Sequence, residues 1–124
     1  MRKEVKTTNA PEAIGPYSQA IETDEFVFLA GQIGINPSSG ELVEGIENQT
    51  KQVMENIKAV LRSLNLDFSN VVKTTIFLAN MGDFSKVNEI YSSYFIPPYP
   101  ARSTVAVREL PKGALVEIEV IAKK

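Results

Sequence analysis

The chain has 124 residues, 44% apolar and 23% charged, which supports one folded domain over residues 1–124 and argues against disorder. Its formal net charge of -2 is wrong for a polycation that grips nucleic-acid phosphates, so nucleic acid is not an expected partner. The absence of His and Cys removes the commonest general base, thiolate catalysis, disulfides and the usual zinc ligands. A carboxylate-only Mg or Ca site stays allowed, but there is no Asp-rich loop of the EF-hand kind; no metal and no cofactor are expected. No apolar run approaches the ~20 residues of a membrane span. Residues 1–6 lack the apolar stretch of a signal peptide. A cytoplasmic protein is the expectation, with an organelle left open.

In chain order, residues 3–6 suit a short edge strand and residues 7–15 a loop. Residues 17–21 and 26–31 predict a hairpin turning at Thr23-Asp24-Glu25. Asn36 to Gly40 carries turn chemistry. Ile46, Val53, Ile57, Val60, Leu61 and Leu64 recur at helical spacing, with Lys51, Glu55, Lys58 and Arg62 on the other side. Residues 71–78 are β-branched and apolar, and predict a buried strand. Asp83 is placed to cap a second helix with Phe84, Val87, Tyr91, Tyr94 and Phe95 on one face. Pro97, Pro98 and Pro100 end that helix. Residues 101–107 and 115–122 predict two more strands. The order β-β-β-α-β-α-β-β implies an α+β two-layer sandwich with both helices on one face. The other sheet face would stay open, and apolar residues on it would need a partner.

Two charges stand inside predicted strands, Arg102 and Glu117, and a half-buried charge is costly unless paired or used. If the last two strands form an antiparallel hairpin, position 102 lies opposite 119 and 104 opposite 117. Arg102, Thr104, Glu117 and Glu119 would then share one face. One reading is a structural ion pair between Arg102 and Glu119. The other is a guanidinium fork that binds a small carboxylate, with Glu117 handling protons or water. Both readings stand at this level. Ile14-Gly15-Pro16-Tyr17 is a turn that aims Tyr17 either into a cleft or into the core. Gly31 marks either a bulge or a close ligand approach. Asn88, between apolar helix positions, gains interest only if it faces the cleft.

Five segments stand in order over nearly the whole chain. They are Ala10-Pro11-x-x-Ile14-Gly15-Pro16-Tyr17-Ser18-Gln19, Gly31-Gln32-Ile33, Asp83-Phe84-x-x-Val87-Asn88-x-x-Tyr91, Pro100-Ala101-Arg102-Ser103 and Glu117-Ile118-Glu119-x-Ile121-Ala122. Together they resemble the reactive intermediate deaminase (Rid) family, specifically its archetypal enamine/imine deaminase subfamily. Older descriptions call such proteins endoribonucleases or translation inhibitors. The resemblance implies a chorismate-mutase-like fold with a mixed sheet, and a homotrimer with three inter-subunit clefts. It implies hydrolysis of enamines and imines such as 2-aminoacrylate to 2-keto acids and ammonia. Within that family Arg102 would bind the substrate carboxylate and Glu117 would orient water. Tyr17 and Asn88 would line the cleft, and backbone groups of Gly31 and Thr104 would touch the ligand. Many relatives have Ser at Ala30 and Cys at Thr104, and residues 96–99 also differ from some of them. A Glu at its reference pKa of about 4.3 would be ionised and act as a water anchor. RNA cleavage, translation inhibition and non-catalytic carboxylate sensing are the competing functions.

Overall fold

The computed structural model describes residues 1–124. Its elements are β1 (Lys3–Val5), β2 (Ala20–Glu22), β3 (Phe26–Ile33), α1 (Ile46–Arg62), β4 (Val71–Leu78), α2 (Phe84–Ser92), β5 (Ala101–Ala106) and β6 (Val116–Lys123). This is the order expected from the sequence. The strands form one mixed sheet, β1-β2-β3-β6-β4-β5, with β4 and β5 parallel and every other pair antiparallel.

Helix α1 owes its place to apolar spacing. Val53, Met54, Ile57, Val60 and Leu61 are all buried. They meet Val27 and Leu29 of β3, Ile76 and Leu78 of β4, and Val116, Ile118 and Val120 of β6 in one core cluster. Buried polar groups tie the layers together. The Asn56 amide donates to the carbonyls of Ile33 (3.3 Å) and Ile35 (2.9 Å), and Gln49 Oε1 accepts from the Leu115 N–H (2.8 Å). Gly34 allows this close approach, because a Cβ there would lie 2.8 Å from Gln49 Cα.

Three local expectations fail. Helix α2 ends at Ser92, so Tyr94 and Phe95 lie beyond it and the prolines do not stop it. Residues 17–19 lie outside β2, because the buried Gln19 side chain is taken up by loop backbone. Asp83 makes no capping hydrogen bond and has helical backbone angles. Asn80 caps instead, its Oδ1 accepting from the Gly82 N–H (2.8 Å) at the 3-10 turn Met81–Asp83 that leads into α2.

The expected β5–β6 hairpin is also overturned. The two strands are not neighbours, since β4 lies between them. Thr74 pairs with both Arg102 and Val120, and Phe77 pairs with both Val105 and Glu117. The physical reason lies in the burial each strand needs. Val116, Ile118, Val120 and Ala122 are all buried, so β6 fits the sheet interior. β5 is largely exposed and fits the edge. It reaches that edge through α2, the crossover that a parallel pair requires. No helix is long and apolar enough to cross a membrane.

Candidate functional site

Strand alternation now separates the two charges. Arg102 and Thr104 lie in register with the buried Thr74 and Ile76, and so face the helical layer. Glu117 alternates with the buried Val116 and Ile118, and so faces the open side. Neither Arg102–Glu119 nor Arg102–Glu117 is an ion pair. The ion pairs present join Lys123 to Glu25 and Lys124 to Glu22. The structural-pair reading of Arg102 therefore fails within the chain.

Around Glu117 the sequence builds a groove of about 460 Å³, lined among others by Ile14, Tyr17, Ala30, Gly31 and Lys112. The buried Gln19 holds the loop that carries Tyr17. Its Oε1 accepts from the Thr7 N–H (2.7 Å), and its Nε2 donates to the carbonyls of Thr7 (3.0 Å) and Pro11 (2.8 Å). Gln19 had no expected role, although its place inside the first motif was a signal. Gly31 sits in a bulge, since β3 takes three steps from Leu29 to Gln32 while β6 takes two from Val120 to Ile118. A Cβ on Gly31 would clash with the Glu117 carboxylate, so glycine here lets that carboxylate keep its place against the strand. Glu117 has no hydrogen-bond partner within the chain. Burial, and then the neighbouring Glu119 carboxylate, push its pKa above its ordinary value. That corrects the expectation of an unperturbed carboxylate and makes Glu117 a better proton acceptor.

The other half is built on β5 and α2. The Arg102 Nη1 donates to Asn88 Oδ1 at 2.7 Å. Its guanidinium lies over the rings of Phe84 (5.4 Å) and Tyr91 (5.1 Å). The rest of the guanidinium fork has no partner in the chain, which leaves it open to a carboxylate. Asn88 therefore faces the site rather than solvent. Thr104 lies beside Arg102 in a shallow groove with Met81 and Phe84. Its Oγ1 is buried without a partner. On the other side of Arg102, Tyr99 and Pro100 form the wall.

Six predicted residues thus fall into two groups, Tyr17, Gly31 and Glu117 on one surface and Arg102, Asn88 and Thr104 on another. β5 and β6 are two strands apart, roughly 9–10 Å at the usual spacing, and the two side chains leave opposite faces. A ligand of a few heavy atoms cannot touch both in one chain.

Comparison with known proteins places the chain. The family described as Endoribonuclease L-PSP matches residues 7–124. The 2-iminobutanoate/2-iminopropanoate deaminase of Mus musculus is 50% identical, over 98% of this chain and 91% of that one. The crystal structure of the Rid family protein YyfA from Yersinia pestis superposes with a TM-score of 0.98 at 54% identity, covering 100% of both chains. That of E. coli TdcF with bound serine superposes with a TM-score of 0.94 at 38% identity, covering 98% of each. The chain belongs to the L-PSP, or Rid, family.

Proposed function

We propose that the protein hydrolyses reactive 2-imino acids and their enamine tautomers to 2-keto acids and ammonia, in a cleft made by two copies of the chain. The observation that carries this reading is the division of the site: an open guanidinium fork on one surface and an unpaired, partly buried carboxylate on another. Two such half-sites become one only when a second chain brings its Glu117 surface to Arg102. The open sheet face suits such an assembly, because Phe28 is 45% exposed and Val105 44% exposed on it. Closed cyclic symmetry then repeats the cleft, and a trimer contains three.

Arg102 holds the substrate carboxylate through the fork left free by Asn88. Backbone groups of Gly31 and Thr104 contact the ligand, and Tyr17 closes the cleft. The enamine tautomerises to the imine. Water held by Glu117 adds to the imine carbon, giving up a proton to the carboxylate. Glu117 returns that proton to nitrogen, giving the carbinolamine; it then carries the hydroxyl proton to the same nitrogen, the C–N bond breaks, and ammonia leaves as the carbonyl forms. The raised pKa of Glu117 suits this exchange. Such imines hydrolyse in water unaided, so positioning one water can suffice without His, Cys or metal. The relatives named as 2-iminobutanoate/2-iminopropanoate deaminases support the substrate class. The relative with bound serine supports a ligand of amino-acid size and charge.

RNA cleavage, which the family description mentions, fits the chemistry less well. The chain has no His, and Glu117 and Glu119 together would repel phosphate. The decisive assay generates 2-aminoacrylate with a pyridoxal-phosphate dehydratase and follows keto acid and ammonia with and without the protein. The expected result is release well above the spontaneous rate. Binding of the keto acid without any acceleration would assign a sensor instead, and cleavage of RNA by rigorously purified protein in place of deamination would assign a nuclease.

A further inference from the structure

Phe84 and Tyr91 flank Asn88 on α2, the three standing at i, i+4 and i+7. This spacing aligns three side chains along one helical stripe. All three converge on Arg102, through the two ring faces and the Asn88 acceptor. We infer that α2 is a cradle for this arginine, in which Phe84 and Tyr91 are positioning residues that set affinity for the substrate carboxylate. The inference rests on the carboxylate-binding reading of Arg102 given above.

The two kinds of contact do different work. The hydrogen bond to Asn88 fixes the direction of the fork within its plane. The two ring faces restrict where the guanidinium can sit. Tyr91 is anchored in turn by a buried 2.7 Å hydrogen bond between its hydroxyl and Thr74 Oγ1, and Thr74 is the strand partner of Arg102. The chain of restraint therefore closes on itself, from β5 through α2 to β4 and back. A long flexible side chain with one hydrogen bond would otherwise lose rotamer freedom when a ligand binds. An arginine already held in place avoids that loss. The carboxylate keeps its full charge from substrate through transition state, so loosening the cradle weakens both alike. The signature is a raised KM with an unchanged kcat.

Phe84 is the better test position, because it is only partly buried and packs at the margin of the core. Phe84→Leu removes the ring face, while Phe84→Tyr keeps it. Imine hydrolysis, the dissociation constant for 2-oxobutanoate and the melting temperature are measured for both, with Arg102→Ala alongside. Phe84→Leu is expected to raise KM and the dissociation constant roughly fivefold, the scale of a lost cation–π contact, with kcat within about twofold. Phe84→Tyr should restore both constants. Wild-type constants in Phe84→Leu, while Arg102→Ala loses binding, would overturn the cradle and leave the site intact. A loss in Phe84→Leu that tracks a fallen melting temperature and is not rescued by Phe84→Tyr would also overturn it. Wild-type activity in Arg102→Ala would remove the reading on which the cradle rests.

Discussion

Arg102→Ala is expected to lower kcat/KM for imine hydrolysis by at least about 10- to 150-fold, the value of one charge-assisted hydrogen bond of roughly 1.5–3 kcal/mol. Arg102→Lys should recover little, because an ammonium keeps the charge but not the planar fork. The chain should nonetheless stay folded. Arg102 has no carboxylate partner in the chain, only Asn88 and two ring faces. Their loss costs a few kcal/mol, which lowers the melting temperature but leaves no buried charge unpaired. Kinetics and thermal melts on both variants check this. A folded Arg102→Ala protein with wild-type turnover would remove Arg102 from the site.

Glu117→Gln should separate activity from stability in the opposite sense. Turnover should fall by roughly 10²-fold, the lower end of what a lost general base costs, with keto-acid binding retained. Stability at neutral pH should not fall. The folded-state pKa of Glu117 is raised, first by burial and then by Glu119. Between the unfolded and the folded pKa the native state therefore binds more protons than the unfolded state. Stability drops as pH rises through that window, and at neutral pH the carboxylate carries a burial penalty. A glutamine amide carries a smaller one, so the variant should melt at or above the wild-type temperature near pH 7. Its advantage should vanish as the pH falls to about 4 and below, where the wild-type carboxyl is also neutral. Melting curves across that range test the sign. A lower melting temperature for the variant near pH 7 would make Glu117 a structural ion-pair partner.

Much of this was legible in the residues themselves. The helical spacing of α1 and the β-branched, apolar run of β4 were local signals, and both elements formed where those signals placed them. The open sheet face followed from two helices and six strands. Which strand lies beside which was not a local property. Alternation in residues 101–107 and 115–122 fixes the face each side chain takes within its own strand, but not the neighbour. A short connection suggested a hairpin, yet the burial of β6 on one whole face demanded a central position. That single error of pairing put Arg102 and Glu117 on the same face. The Asp83 cap failed for a related reason, because Asn80 stands one turn earlier and starts a 3-10 turn first. The raised pKa of Glu117 was beyond reach too, since it depends on burial and on Glu119 projecting from the same face of β6. The aromatic support of Arg102 was visible only as spacing on α2, with nothing to say what it faced.

The central claim is that one catalytic cleft takes Arg102 from one chain and Glu117 from another. Mixing two inactive variants tests it most directly. Arg102→Ala and Glu117→Gln chains are refolded together in equal amounts, and hybrid assemblies are counted by native mass spectrometry. In a cyclic trimer each hybrid contains one junction where an intact Arg102 meets an intact Glu117, so the mixture should recover about a quarter of wild-type imine hydrolysis. Hybrid trimers that form in the expected amounts but hydrolyse no faster than either parent would contradict the shared cleft, and so would a chain that remains monomeric at micromolar concentration.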